Sequence, residues 1–193
     1  NSASKITIIT DSASDMPGNL HNQVTVLPMT VSFGDEQFED GVTLSADEFY
    51  MKLIESDTLP KTSQVSPFAF TSAYETALTH SDAVIVITLS SKLSGTYQSA
   101  CIAAGDYESE HVTVGEQILI EYALKLINDG LSATAIADEL NSAKKRIRLV
   151  ALLDTLEYLK KGGRISSSAA FLGNVLKIKP VIAIDNGEVA ILG

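Results

Sequence analysis

Hydrophobic residues along the chain fall into short runs that predict strands and into helical stripes that predict helices. Residues 83–87 are consecutive apolar or β-branched residues, a pattern typical of a strand buried on both faces of a parallel sheet. Residues 5–10 form a similar run. Residues 24–33 form a third β stretch, in which Pro28 indicates an edge strand or an irregular crossing. Since helical segments separate these runs, we expect an α/β fold with parallel crossovers.

Capping residues mark where the helices begin. Ser45 and Glu48 have the spacing of a capping box, and Ser66 before Pro67 starts a helix that runs to about residue 80. Residues 59–67 are expected to be a connector. Ser94 stands where the N-cap of the helix after residues 83–87 belongs. Further helical segments are predicted at residues 115–130, 132–145 and 166–176.

The last part of the chain predicts a smaller second lobe. Residues 148–153 form a strand pattern, and Asp154 with Glu157 resembles a second capping box. The sequence Asp185-Asn186-Gly187 between two apolar runs predicts a β-hairpin. We therefore expect a two-lobed molecule: residues 1–147 form an N-terminal lobe with a parallel sheet flanked by helices, and residues 148–193 form a smaller C-terminal α/β lobe.

Composition narrows the class of protein. The chain has 193 residues, 45% of them hydrophobic, and a formal net charge of −10. An acidic chain disfavours binding to nucleic acid or to anionic lipid surfaces. No apolar run approaches the roughly 20 residues of a membrane helix, so stable membrane insertion is not expected. The single cysteine, Cys101, cannot form an internal disulfide, which favours a cytoplasmic location.

Three loops rich in hydroxyl groups follow predicted strands or precede predicted helices: residues 11–15, 62–66 and 90–95. Ligands of open α/β sheets collect outside the carboxyl ends of the strands, where these loops could meet. Hydroxyl donors and the amides of a helix start would suit a small anionic group, and Gly95 would let another group approach the backbone. The alternative is that Ser, Thr and Asp only cap helices and turns, which is their commoner use.

An enzyme is a rival interpretation. A small-anion hydrolase or phosphotransferase could use the same loops, and Asp11 with Asp15 could bind magnesium, although capping is the commoner role of both. His21, His80 and His111 stand apart from one another, and none accompanies a Gly-x-Ser-x-Gly elbow. There is no phosphate-binding Gly-rich loop and no zinc-ligand spacing, so we assign no catalytic residue and no metal ligand. A pure interaction module would need no buried ligand.

Several sequence blocks together resemble the DegV family. The blocks occur in the family's order and cover nearly the whole chain: DSASD at 11–15, PKTSQ at 60–64, LSSKLSGTYQSA at 89–100, LEYLKKGGRIS at 156–166 and LKIKP at 176–180. The resemblance implies a two-lobed α/β protein that holds one long-chain fatty acid, such as palmitate or oleate, between its lobes. It also implies a carrier without cofactor or catalytic activity, which presents the fatty acid to a separate fatty acid kinase that makes the acyl phosphate.

The resemblance also implies roles for particular residues. Thr62 and Ser94 match the positions that hydrogen-bond the fatty-acid carboxylate, with Ser63 and Ser91 beside them. Arg164 matches a glycine-supported loop near the head group, where its guanidinium would neutralise the carboxylate or engage the kinase.

Two segments depart from the family pattern. The strand and turn after Val114 are shorter than usual, and family members continue beyond Gly193, so we expect residues 148–193 to be an incomplete lobe. Phe171, Leu172 and Val175 are candidates for the tunnel around the fatty-acid tail, or they form the core stripe of an ordinary helix.

Overall fold

A computed structural model describes residues 4–16, 22–105, 111–113, 116–165 and 179–192. The chain divides into two units, residues 1–145 and residues 146–193. The predicted helix at 166–176, with Phe171, Leu172 and Val175, lies outside the described residues, as does the departure from the family pattern at Val114.

The first unit contains a four-stranded parallel sheet. Its strands, numbered along the chain, are β1 (Ile6–Asp11), β2 (Val24–Leu27), β6 (Ala83–Thr88) and β7 (His111–Thr113). Their order is β2-β1-β6-β7, and every pairing is parallel. All six residues of β1 are buried, in keeping with a sequence in which the first five residues are all isoleucine or threonine, which are β-branched. The predicted α/β fold with parallel crossovers is confirmed.

Helices cover both faces of this sheet. They are α2 (Pro67–Leu78), α3 (Thr96–Ala103), α4 (Glu116–Asn128) and α5 (Ala133–Ala143). Ile9 on one face joins a core cluster with Phe70 of α2 and Ala100 of α3. Since successive strand residues point to opposite faces, the fully buried Ile8 faces the other side, where α4 and α5 contact the sheet.

A second sheet in the first unit is antiparallel. It contains β3 (Thr30–Phe33), β4 (Glu36–Glu39) and β5 (Lys61–Ser63), with β3 in the centre. Helix α1 (Ala46–Glu55) packs on it through Phe49, whose ring centroid lies 5.8 Å from that of Phe33. The β stretch predicted at residues 24–33 is therefore split at Pro28 between two sheets, in keeping with the predicted irregular crossing.

The prediction of a connector at residues 59–67 is wrong in part, because β5 lies within it. This strand has three residues, Lys-Thr-Ser, and all of them are exposed. A strand that buries no side chain has no apolar alternation, so its sequence carries no strand signal.

The described residues of the second unit form a three-stranded antiparallel sheet, in the order β10-β9-β8, and one short helix. The elements are β8 (Leu149–Leu152), α6 (Glu157–Lys161), β9 (Val181–Asp185) and β10 (Glu188–Ile191). The predicted hairpin is confirmed, with positive φ at Asn186 (49°) and Gly187 (83°) as the turn requires.

Most of the predicted helix caps are confirmed. Ser45 and Glu48 form the complete capping box of α1, and Ser66 and Ser132 cap α2 and α5. The cap predicted at Asp154 is wrong: its Oδ1 lies 2.7 Å from Nζ of Lys179, and Leu156 occupies the N-cap position of α6. The Lys179 cation is a stronger partner for this carboxylate than a backbone amide.

The described helices include none that is both long and apolar enough to cross a bilayer.

Candidate functional site

The loop between β6 and α3 is held by Ser90. The backbone carbonyl of this buried serine accepts hydrogen bonds from the amides of Leu93 (2.9 Å) and Ser94 (3.0 Å). Its Oγ accepts from the amide of Lys92 at 3.2 Å. Ser90 therefore has a structural role in the turn, whereas the next residue, Ser91, is exposed and its side chain has no partner in the described part of the chain.

The helix that follows begins one residue later than predicted. Gly95, and not Ser94, is the N-cap of α3, and glycine offers no side-chain cap. The Oγ of Ser94 nevertheless accepts a hydrogen bond from the amide of Thr96 at 3.2 Å. Ser94 therefore does bind the start of the helix as predicted, but from the residue before the N-cap.

The Ser94 hydroxyl belongs to a hydrogen-bond chain with Thr96 and Val65. The Oγ1 of the fully buried Thr96 accepts from the amide of Val65 at 3.3 Å and lies 3.0 Å from the Oγ of Ser94. Buried Thr96 needs an acceptor for its own proton, and within the described residues Ser94 Oγ is the one at hand. If Thr96 donates to Ser94, both acceptor positions of Ser94 Oγ are occupied, because it also accepts from the Thr96 amide. The proton of Ser94 is then available to an external acceptor.

Gln64 connects the segment after β5 to the start of α3. Its Nε2 donates to the Oγ of buried Ser99 at 3.0 Å. Its Oε1 would lie 1.8 Å from a Cβ atom built on Gly95. Gly95 has φ of −73°, so the position needs glycine for space and not for backbone conformation. The predicted close approach at Gly95 is confirmed, but the approaching residue, Gln64, could not be identified from local sequence.

The loop after β1 is joined to the loop after β6. Asp11 Oδ1 accepts from the amide of Ala13 at 3.0 Å, and Oδ2 accepts from the amide of Leu89 at 2.9 Å. Ser12 Oγ accepts from the amide of Met29 at 3.0 Å. The predicted capping role of Asp11 is therefore confirmed. Its carboxylate also binds the backbone amide that directly follows the neighbouring strand β6. Asp11, in the first predicted loop, thus contacts Leu89, which directly precedes the predicted loop at 90–95, and Gln64 and Val65 join the third loop to the start of α3.

The two candidates on β5 face opposite sides of their sheet. Thr62 is paired with Val31, and Ser63 with Thr30, so strand alternation points their side chains in opposite directions. Both residues are exposed, and neither side chain has a hydrogen-bond partner among the residues described. Only one of these two hydroxyls can therefore face the start of α3. Gln64, two residues after Thr62, already contacts it, which favours Thr62.

Arg164 belongs to the second unit, whereas the other four candidates belong to the first. It follows α6 after Gly162 and Gly163, and Gly163 adopts a φ of +72°. The exposed guanidinium donates through Nη1 to the backbone carbonyl of Gly162. The predicted glycine-supported turn is confirmed, and it gives Arg164 a fixed local attachment.

Two tyrosines lie in or against α3, and burial affects the pKa of both. Burial raises the pKa of Tyr97, and its hydrogen bond with Cys101 raises it further. Burial likewise raises the pKa of Tyr74, whose Oη donates to the carbonyl of Ala100 at 3.1 Å. A phenol is neutral at ordinary pH even at its usual pKa of about 10, so neither tyrosine adds negative charge beside the hydroxyl groups.

The described residues contain no group of three or more His, Cys, Asp or Glu that could hold a metal ion. The polar groups that meet at the β6–α3 junction are alcohols, amides and one engaged carboxylate. Fold and site together define an α/β protein whose polar loops gather at the carboxyl ends of parallel strands, where such sheets commonly bind ligands.

The chain belongs to the DegV family, whose family model matches residues 5–193. It is 36% identical to a DegV domain-containing protein of Caldanaerobacter subterraneus subsp. tengcongensis, over 97% of this chain and 70% of that protein. The predicted family is thereby confirmed.

Solved structures of family members have the same fold. A DegV family protein from Thermus thermophilus, described by its fatty-acid binding, has a TM-score of 0.86 and 36% identity over 98% of this chain and 71% of its own. DegV from Bacillus subtilis, described as a fatty acid binding protein, has a TM-score of 0.84 and 31% identity, over 96% of this chain and 70% of its own. A stearic acid-binding protein from Eubacterium ventriosum has a TM-score of 0.84 and 28% identity, over 97% and 70%.

Proposed function

We propose that this protein binds one long-chain fatty acid and that hydroxyl groups hold the carboxylate. Ser94 is the principal donor and Thr62 the second, with Ser91 in the same loop as Ser94, whereas Ser63 points to the other side of β5 and is left out of the proposed site. The single observation that carries the proposal is the pair of contacts at Ser94 Oγ, which accepts from the Thr96 amide and lies 3.0 Å from Thr96 Oγ1. With Thr96 as the donor in the second contact, the proton of Ser94 is available to a ligand. A carboxylate is an acceptor with several lone pairs, so it complements such a donor.

The family relationship supports the chemical class of the ligand. Relatives with 28–36% identity to this chain are described as binding fatty acids. Burying each methylene of an acyl chain contributes about 0.8 kcal/mol, so a long tail can supply most of the affinity before ordering costs. The hydroxyl groups then determine the orientation of the ligand, because they bind its carboxylate end. Arg164 is proposed to neutralise the carboxylate or to engage the partner.

A head-group comparison tests this proposal. Delipidated protein is titrated with oleate and with oleyl alcohol, which share the tail and differ in the carboxylate. We expect wild type to prefer the acid, and Ser94→Ala to weaken oleate binding about 10-fold or more, since a hydrogen bond to a charged group contributes roughly 1.5–3 kcal/mol. Thr62→Ala should act in the same direction. The alcohol should lose much less affinity in either variant.

Thr134→Ala is the matched control, because it removes an exposed hydroxyl from α5, away from the β6–α3 junction. It should leave both affinities unchanged. Absence of oleate and palmitate binding by wild type would refute the fatty-acid proposal. Equal binding of oleate by wild type and by the variant with both Ser94→Ala and Thr62→Ala would remove these residues from the site.

We further propose that the bound fatty acid is presented to a separate fatty acid kinase, in the cytoplasm where ATP is available. The isolated protein should neither hydrolyse esters nor turn over ATP. Addition of the cognate kinase should produce acyl phosphate, dependent on both the fatty acid and this protein. Ester hydrolysis or ATP turnover by the isolated chain would instead favour the hydrolase or phosphotransferase alternative.

A further inference from the structure

Helix α1 has apolar side chains on two adjoining faces, and the ring centroid of Tyr50 on one lies 5.5 Å from that of Phe49 on the other. One face packs on the antiparallel sheet through Phe49 and the half-buried Leu53. The other face, which we call the α1 outer face, consists of Tyr50, Met51 and Ile54. These side chains are 62%, 56% and 84% exposed. Residues three and four apart are neighbours on a helix surface, so the three form one patch. An amphipathic surface helix normally has polar residues on its outer side.

The chain segment that contains this patch is strongly acidic. Residues 35–57 contain eight aspartates and glutamates and one lysine, so this segment has a net charge of −7, against −10 for the whole chain. The lysine, Lys52, is already engaged: its Nζ lies 2.9 Å from Glu36 Oε2 and 4.8 Å from the ring centroid of Phe38. Asp47 and Glu55 flank the patch along the helix. The segment therefore combines exposed apolar area with nearly uniform negative charge.

We infer that the α1 outer face is a docking surface for a basic protein partner, which inserts an apolar side chain between Tyr50 and Ile54 and surrounds it with lysine or arginine. The negative charge of this segment favours a cationic protein over the other possible partners, which are an anionic bilayer and a second copy of this chain. An anionic bilayer would be repelled, and a second copy of this chain would bring two acidic rims together. A cationic partner gains from both the apolar patch and its rim. The inference does not depend on the proposed fatty-acid site, because none of that site's residues lies on α1.

A designed peptide is the probe for this surface. A fluorescent helix of roughly 18 residues, with leucine on one face and lysine on the other, is titrated against the full chain by anisotropy. Two comparison peptides have serine in place of leucine, or glutamate in place of lysine. We expect binding by the leucine–lysine helix only. Chemical-shift changes in two-dimensional NMR spectra should centre on residues 47–55.

Matched substitutions locate the contact. Tyr50→Ser with Ile54→Ser should weaken peptide binding about 10-fold or more, as truncation of interface anchors typically does. Ile102→Ser is the control, because Ile102 is a comparably exposed apolar residue on α3, with 60% exposure. It should change the affinity less than twofold. Asp47→Asn with Glu55→Gln should make binding less dependent on salt concentration.

Several outcomes would overturn the inference. They are equal loss of binding in the Ile102 control, shift changes centred elsewhere, and binding that survives Tyr50→Ser with Ile54→Ser. Sedimentation that reveals a dimer lost in the Ile54→Ser variant would assign the face to a second copy. Binding to phosphatidylglycerol vesicles that requires Ile54 would assign it to lipid. Circular dichroism verifies that each variant is folded, which is expected because Phe49 still anchors α1.

Discussion

At the scale of single residues, one buried hydroxyl group lacks a hydrogen bond among the described residues. Thr10 on β1 is fully buried, and its Oγ1 has no hydrogen-bond partner in the described part of the chain. A buried hydroxyl without a partner costs about 1–3 kcal/mol, whereas an isosteric methyl costs nothing of this kind. We therefore expect Thr10→Val to raise the free energy of unfolding by about 1 kcal/mol, measured by urea denaturation.

Thr7→Val on the same strand is the control for this prediction. Thr7 is also buried, but its Oγ1 lies 2.6 Å from the Oγ of Ser81. The same chemical change should there lower the free energy of unfolding, since it removes a hydrogen bond. Equal destabilisation by the two substitutions would mean that Thr10 has a partner in the folded protein.

Tyr74 makes the free energy of unfolding depend on pH at alkaline pH. Burial, with a smaller contribution from Cys101, raises the pKa of this phenol in the folded state. Its ordinary pKa in the unfolded chain is about 10. Above that pH the unfolded state releases a proton that the folded state retains, so the free energy of unfolding should fall as pH rises beyond about 10.

Tyr74→Phe tests this pH dependence. It should lower the free energy of unfolding by about 1 kcal/mol at pH 7, because the hydrogen bond to the Ala100 carbonyl is lost. Its stability should then decline less steeply than that of wild type above pH 10, as urea titrations at several pH values would reveal. Parallel curves for the two proteins would mean that Tyr74 ionises equally in both states. Tyr97, with its own raised pKa, should leave some decline in the variant.

At the scale of elements, the junction between β5 and α3 depends on one close contact. Gly95→Ala should displace Gln64, because the new Cβ would lie 1.8 Å from Oε1. Gln64→Ala removes the obstacle but leaves Ser99 without this partner. We expect the two changes to be less than additive in urea denaturation, with a coupling of about 1 kcal/mol. Gly95→Ala made in the Gln64→Ala background should be nearly neutral, since the φ of −73° suits alanine. Strict additivity would mean that the two positions do not interact.

The elements also define how far sequence reasoning reaches. Buried parallel strands and capped helices have local signals, so β1, β6 and the caps at Ser45, Ser66 and Ser132 were predictable. β5 was not, because it buries nothing. Gly95 predicted that another group would approach the backbone closely. The sequence did not predict that this group is Gln64, because the contact depends on how two distant segments meet. Such long-range contacts follow from the tertiary fold and leave no local pattern.

At the scale of the whole molecule, the described residues of the two units differ in how completely their apolar side chains are buried. In the first unit, Ile8, Ile9 and Ile87 are all completely buried, at the centre of a sheet covered on both faces. In the second, the buried apolar side chains among the described residues are Leu156, Pro180 and Ile182, and Leu156 and Ile182 retain some exposure. Fewer buried contacts mean a lower free energy for local opening.

We therefore expect the second unit to open more easily than the first. Native-state hydrogen exchange should give smaller protection free energies for the amides of β9 and β10 than for those of β1 and β6. Because the exchange experiment reports each amide separately, each unit serves as the reference for the other in one sample. Equal protection in all four strands would mean that the chain unfolds as a single cooperative body. In that case the turn at Arg164, in the second unit, and the hydrogen bonds around Ser94, in the first, would open together. The expected result is instead that the turn at Arg164 opens while the hydrogen bonds around Ser94 persist.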